Sequence, residues 1–280
     1  MAVGTGRVAL VTGASAGIGE AAARALVGAG FTVYGTSRKA APGEKRGEVV
    51  FLPLDVTDDD SVARAVREVL DRSGRIDVLV NNAGVGVSGA AEESSIEQAR
   101  ALFETNLFGS IRTTRAVLPH MREQGSGRII NVSSVLGFMP APFMALYAAS
   151  KHAIEGYSES LDHEVREHGV RVLLVEPAYT RTSFDANAIA VDEPLALYAR
   201  RRAAIEVLIA DAVKAGDEPS LVGETIVAAA TDSRPKLRYP AGTLARRVSK
   251  LRRYAPPALF DKQIRKTNQL AAGLRGASAT

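Results

Sequence analysis

The chain has 280 residues, of which 46% are hydrophobic and 24% charged, with no cysteine and no tryptophan. That balance excludes a largely disordered chain, and the missing thiols exclude disulfides, cysteine nucleophiles and cysteine-held zinc or iron–sulfur centres. Net charge is +4, yet residues 234–266 hold 11 Lys/Arg against one acid, so the rest of the chain sums to −6 and the high isoelectric point belongs to the tail.

Strand and helix patterns alternate from the start. Residues 7–12 (RVALVT) are a short β-rich run ending in glycines, and residues 17–29 are alanine-rich, helical and stopped by Gly30. Residues 32–36 and 49–54 predict the second and third strands. Residues 58–73 predict an amphipathic helix, with Val62, Ala65, Val66, Val69 and Leu70 at helical spacing and Asp58–Asp60 at its N-terminal end. A fourth strand follows at 78–80, a long helix at 95–121, a fifth strand at 128–132, a helix at 145–168 and a sixth strand at 170–176. The uncharged run 129–150 is long enough for a membrane helix. Asn131, Ser133, Ser134, Gly137, Pro140 and Pro142 interrupt it, so it reads as strand, loop and helix start. Strands interleaved with long helices predict βαβ crossovers and an α/β, doubly wound, mostly parallel sheet of about seven strands. Residues 183–216 read as a helical insertion, residues 237–239 as a last strand, and residues 241–280 as a basic helical extension of a domain spanning 1–240. The N-terminus shows no sustained apolar segment, so no signal peptide and a cytoplasmic location are expected. The four histidines form no i, i+4 pair, and no metal site is expected.

The first strand runs into Thr12-Gly13-Ala14-Ser15-Ala16-Gly17-Ile18-Gly19, a TGxxxGxG turn that opens a helix. Glycines permit a tight turn and close approach of backbone to a pyrophosphate, and the N–H groups at the helix start bind the anion. NAD sites place an acid on the ribose about 20 residues further on. Here the second strand ends Thr36-Ser37-Arg38-Lys39 with no carboxylate. A guanidinium at Arg38 suits a 2′-phosphate, so NADP(H) is favoured over NAD(H).

Tyr147 and Lys151 form YxxxK and share one helix face. A nearby cation favours the phenolate, and such a pair can exchange a proton with an alcohol or carbonyl oxygen. Together with Asp55, Asn81-Asn82-Ala83-Gly84, Asn106 and Ser134, which lies 13 residues before Tyr147, the motifs occur in the order that resembles the short-chain dehydrogenase/reductase family over roughly residues 5–185. The resemblance implies a Rossmann fold with Tyr147 as proton donor or acceptor and Ser134 as hydrogen-bond donor to the substrate oxygen. It implies that Lys151 holds the nicotinamide ribose and lowers the tyrosine pKa, and that Asn106 holds a water linking Lys151 to solvent. Gly13, Ser15, Gly17, Ile18, Gly19, Arg38, Asp55, Val56, Asn82, Ala83, Gly84, Pro177 and Thr182 complete the implied cofactor site, Asp55 on the adenine and Thr182 on the carboxamide.

Two positions depart from the family pattern. Ala16 stands where NADP-using members often carry a base, and Pro177-Ala178 replaces Pro-Gly. Residues 137–144 and the insertion, with Phe184, Ile189, Leu195, Leu197 and Tyr198, are expected to wall a pocket for a hydrophobic ketone or alcohol, loosely similar to the steroid- and retinoid-acting branch. A 3-oxoacyl-carrier-protein reductase and a non-catalytic dinucleotide-binding regulator are the alternatives. A homodimer or homotetramer through the two long helices is expected, and no nucleic-acid partner. The tail mixes Leu, Phe and Ile with Arg and Lys. A basic face packed on the domain is favoured there over peripheral membrane contact.

Overall fold

The computed structural model describes residues 6–41, 43–184 and 188–270. Its elements are β1 (Val8–Val11), α1 (Gly17–Gly28), β2 (Thr32–Ser37), β3 (Lys45–Arg46), β4 (Val49–Pro53), α2 (Asp59–Ser73), β5 (Val78–Asn81), β6 (Val87–Ser88), α3 (Ile96–Phe103), α4 (Gly109–Glu123), β7 (Gly127–Val132), α5 (Ala145–Val165), β8 (Val170–Pro177), β9 (Ile189–Ala190), α6 (Ala196–Lys214), α7 (Pro219–Thr231), β10 (Arg238–Ala241), α8 (Gly242–Tyr254) and α9 (Pro257–Thr267). Eight strands form one sheet in the order β10-β8-β7-β5-β1-β2-β4-β3. All neighbours are parallel except the two-residue edge strand β3. That short antiparallel strand is the difference from the seven expected.

The apolar strands are buried on both faces, as parallel sheets require. Side chains alternate: Ala9 and Val11 join a core under α1 and α7, while Val8 and Leu10 join one under α2, α4 and α5. A Cβ on Gly223 would come 2.8 Å from the Ala21 carbonyl, so only glycine lets α7 lie this close to α1. Asp58 caps α2 by accepting from Ser61 N at 2.9 Å, and Gly74, at φ 71°, ends it. The strand order reverses between β2–β1 and β1–β5, which opens a crevice at the carboxyl ends of β1 and β5.

Two expectations change. The helix expected at 95–121 is divided by a π-helical stretch, Glu104–Phe108, which preserves the apolar period but widens one turn. The insertion holds β9, paired with β6 in a separate two-stranded sheet, before α6 begins. No helix among the described residues is long and apolar enough to cross a membrane.

A buried polar ladder fastens the sheet to α4 and α5. Asn81 Nδ2 donates to Asn131 Oδ1 (2.8 Å) and Thr114 Oγ1 (3.1 Å), Thr113 Oγ1 donates to Asn81 Oδ1 (2.6 Å), and Asn131 Nδ2 donates to Ser158 Oγ (2.7 Å). Truncating one member strands the others without water. Asn81→Ala is expected to cost about 2–4 kcal/mol in urea unfolding, with the far-ultraviolet spectrum unchanged.

Candidate active site

The chain leaves β1 through Thr12 and turns at Gly13 and Gly17, whose φ values of 64° and 57° lie in the left-handed region. A Cβ on Gly19 would overlap the Gly13 carbonyl, and one on Gly17 would press on Thr182 Cγ2 at 3.2 Å. The turn is pinned to the end of β5. Thr12 Oγ1 accepts from Asn82 N (2.9 Å) and Ala83 N (3.0 Å), while Asn82 Nδ2 donates to the Thr12 and Gly13 carbonyls (3.0 and 3.1 Å). Ser15 is exposed on the turn and Ile18 is half-buried against the core. Asn82, Ala83 and Gly84 therefore serve the crevice first as its brace.

Arg38 is exposed at the end of β2. Asp55 accepts from Thr57 N (2.9 Å) and Thr57 Oγ1 (2.8 Å); the first of these bonds is the largest influence holding its carboxyl below the usual range, with Arg38 and Arg112 adding charge. Val56 is buried against Gly109, and its carbonyl accepts from Arg112 Nη1 at 3.3 Å.

Across the crevice, α5 carries Tyr147 and Lys151, both buried. Lys151 Nζ lies 5.6 Å from the Tyr147 ring centroid and donates to the Val132 carbonyl at 2.9 Å, two residues before Ser134. Burial lowers the Lys151 pKa to about 8, so the ammonium is retained at neutral pH but is easily discharged above it. Asn106 sits in the π-helical stretch. Its side chain is committed: Oδ1 accepts from Val85 N (2.8 Å), and Nδ2 donates to the Val85 carbonyl (2.9 Å) and Ser150 Oγ (3.1 Å). Its own carbonyl accepts from Ser110 Oγ at 3.4 Å.

Ser133 and Ser134 divide their work. Ser133 Oγ is buried and donates to Glu155 Oε1 at 2.6 Å. Ser134 Oγ is half-buried and accepts from Leu136 N at 3.1 Å, which leaves its proton for another acceptor. Behind them Arg238 Nη1 pairs with both Glu155 and Glu176, at 2.7 Å from Glu176 Oε1. Glu176 Oε2 is buried with no partner, and burial raises this carboxyl to about 7. Burial of Glu176 thus favours its protonated form near neutrality even beside Arg238. Composition and spacing could not reveal this cluster, because its members come from β8, α5 and β10.

Pro177-Ala178 fits without strain. Among the described residues only Phe143 and Gln269 combine a side chain with positive φ, so Ala178 needs no glycine-like conformation. Phe184 packs beside Tyr147 with ring centroids 5.8 Å apart. A cavity of about 570 Å³ adjoins them, lined by Gly86, Met144, Ile209, Ala210 and Val213, with Arg181, Glu206 and Lys214 as its charged lining. The pocket walls thus differ from those expected. Leu197 is 81% exposed, and the second half of α6 supplies the apolar wall instead. Buried Glu93 fastens the insertion by accepting from Leu195 N (2.8 Å) and pairing with Arg202. Among the described residues no acidic or histidine cluster could hold a metal.

A glycine turn at the sheet's switch point, facing a tyrosine–lysine pair over an apolar cavity, defines a dinucleotide-binding α/β oxidoreductase. The family model described as "short chain dehydrogenase" matches residues 7–192, and the chain belongs to that family, whose members act on CH–OH or C=O groups. It is 45% identical over 181 residues (65% of this chain, 66% of the relative) to a 3-ketodihydrosphingosine reductase from Bacteroides thetaiotaomicron. A short chain dehydrogenase/reductase from Burkholderia phymatum, solved in complex with NAD, superposes with a TM-score of 0.76 at 27% identity, covering 90% of this chain and 95% of that one. A short chain dehydrogenase from Burkholderia cenocepacia, solved with NADP, gives 0.72 at 28% identity over 92% and 97%.

The burial of Glu176 predicts a pH effect on stability. Glu176 has a folded pKa near 7, above its ordinary 4.5. The folded state therefore binds the extra proton, and stability present below pH ~4.5 declines as pH rises through ~7, by at most about 3 kcal/mol. The unfolding midpoint is expected to fall across that window in the wild type. Glu176→Gln should flatten the dependence.

Proposed function

We propose that the protein transfers a hydride between NADP(H) and a hydrophobic ketone or secondary alcohol, with a long-chain 3-oxo compound as the substrate class. The carrying observation is that Lys151 lies beside the Tyr147 ring and bonds the Val132 carbonyl two residues before Ser134, while Phe184 packs between Tyr147 and Gly86, which lines the mainly apolar cavity. The glycine turn fits a dinucleotide: a side chain at Gly17 would press on Thr182 and one at Gly19 on the Gly13 carbonyl and the Asn82 amide, so only glycine lets this tight turn open α1 with its first N–H groups available to a pyrophosphate. When bound, that cofactor supplies the hydride.

The chain's own residues do the rest. The Tyr147 hydroxyl gives a proton to the carbonyl oxygen in reduction and takes it back in oxidation. The Ser134 hydroxyl donates to the same oxygen and stabilises its developing charge. Lys151 favours the phenolate left on Tyr147 and holds the ribose, and a water on the Asn106 carbonyl returns the proton to Lys151. Gly13, Ser15, Ile18, Gly19, Asn82, Ala83, Gly84 and Pro177 shape the cofactor groove, with Asp55 and Val56 at the adenine.

Arg38 carries the NADP(H) preference. It is exposed at the strand end where a 2′-phosphate would lie, and no acid stands beside it on β2. Similarity to the 3-ketodihydrosphingosine reductase supports the lipid-like substrate. Reduction of a 3-oxoacyl group on an acidic carrier protein is the second reading, favoured by the basic tail alone. Two protomers meet through the helices α3–α4 and α5 in this proposal, and exposed Ile96 and Phe108 suit such a contact.

Tyr147→Phe is expected to lower turnover at least ~10³-fold while NADPH affinity survives; retained turnover would contradict the assignment. Arg38→Ala should weaken NADPH at least ~10-fold and leave NADH within about twofold, read by fluorescence titration of both nucleotides. A 340 nm screen of fatty aldehydes, long-chain 3-oxo compounds, steroids and small ketones identifies the substrate class.

A further inference from the structure

The tail helices are not the plain basic face that composition suggests. α8 and α9 together carry eight Lys/Arg and one acid, Asp261. Ala245 and Phe260 are buried and anchor the pair to the body. The opposite face of α8 is mixed: Leu244, Arg247, Leu251 and Tyr254 follow at helical spacing, with Arg246, Lys250 and Arg253 beside them. Leu244 is 50% exposed, Tyr254 74% and, at the start of α9, Leu259 54%. Among the described residues Arg246, Arg247, Lys250 and Arg253 have no carboxylate partner. A packed basic face would bury its apolar members; here Leu244, Tyr254 and Leu259 stand in solvent among cations without carboxylate partners, Arg253 lying 5.7 Å over the Tyr254 ring.

The position of this face connects it with the cavity. Arg252 Nε donates to the Phe138 carbonyl at 3.0 Å, on the loop that leads to Tyr147. Arg201 Nη1, on α6, donates to the Gln269 carbonyl at 2.9 Å, just past α9. The tail therefore spans the two segments that wall the cavity.

We infer that α8 and α9 form a docking surface for anionic phospholipid bilayers. Leu244, Tyr254 and Leu259 enter the headgroup layer, and Arg246, Arg247, Lys250 and Arg253 pair with the lipid phosphates. No bilayer-spanning helix is needed. The apolar side chains are too few to hold the protein on a neutral membrane, so the charges decide where it docks. Docking sets the cavity mouth near the bilayer and lets a lipophilic ketone enter from it. That delivery role rests on the function proposed above; the docking itself does not.

Flotation of the full chain with phosphatidylcholine vesicles, and with vesicles carrying about 30% phosphatidylserine, tests the inference. Binding is expected to the anionic vesicles only, and to be lost between about 0.1 M and about 0.5 M salt. Each basic residue near such a surface is worth about fivefold in partition, so R247E/K250E/R253E should lower binding at least ~100-fold. The charge-preserving pair Leu244→Ser and Tyr254→Ser should lower it about tenfold. NADPH titration and reduction of a water-soluble ketone are expected to stay within about twofold in all variants; their failure in the wild type would overturn the enzymatic reading and leave docking standing. Equal binding to both vesicle types, no binding to either, or unchanged binding by the triple variant overturns the inference. So does tighter binding to a short RNA duplex or an acidic carrier protein than to the anionic vesicles. A triple variant whose mass in solution differs from the wild type overturns it too, by assigning the face to contact between copies.

Discussion

The hydroxyl of Thr12 and the amide of Asn82 hold two strand ends together, and the crevice depends on that junction. β1 and β5 are neighbours in the sheet, but their continuations leave in different directions, one into α1 and the other toward β6. Where two parallel strands diverge in this way, their next backbone groups lose sheet partners. Thr12 Oγ1 satisfies the N–H groups of Asn82 and Ala83, and Asn82 Nδ2 satisfies the carbonyls of Thr12 and Gly13. The turn is therefore rigid while the N–H groups at the start of α1 stay directed outward. Glycine at 13, 17 and 19 is the steric counterpart of this bracing, since a side chain would meet the Asn82 amide, Thr182 or the Gly13 carbonyl.

The opposite wall is built by another principle. α5 is held to the sheet by polar groups that have no access to water, so its register against β7 is fixed by geometry and not only by apolar area. Asn131 reaches Ser158, Ser133 reaches Glu155, and Lys151 reaches the Val132 carbonyl. These bonds occur at successive levels along one side of the helix. A slip of α5 by one residue would break all three, which makes the position of Tyr147 relative to Ser134 a consequence of the buried network. The cost is a crowded charge system, in which Glu155 and Glu176 share Arg238.

What the sequence made legible follows the range of the interactions. The strand-turn-helix of residues 8–28, the caps of α2 and the YxxxK face depend on neighbours within a few residues, and their patterns match the structure. The π-helical stretch was hidden because one extra residue in a turn leaves the apolar periodicity intact on both sides. The different partners of Ser133 and Ser134 are likewise not local, since the bond from Ser133 to Glu155 spans 22 residues. Glu93 with Arg202 and Glu155 with Arg238 pair across 109 and 83 residues, and no local pattern encodes them. The cavity wall was misplaced for a related reason: apolar residues in an insertion can face solvent, as Leu197 does, when the helix presents Ile209 and Val213 inward.

The insertion walls the cavity, and the tail reaches the loop at Phe138 and the start of α6 beside it. The insertion is tied down by a few long-range contacts, and the tail by its packing at β10 through Ala245 together with such contacts. Glu93 and Asp192 hold the start of the insertion, Asp192 through Ser95 N at 2.8 Å, and Arg252 and Arg201 hold the tail. The sheet and α5 hold the proposed catalytic geometry, whereas these attached segments lie outside the buried bonds that fix α5 and Tyr147. The charge distribution has the same division: the acidic excess lies in the body and the cationic excess in the tail. The proposed substrate and surface contacts thus fall on these attached segments, and the −6 of the remaining chain and the +10 of residues 234–266 set fields of opposite sign on one molecule.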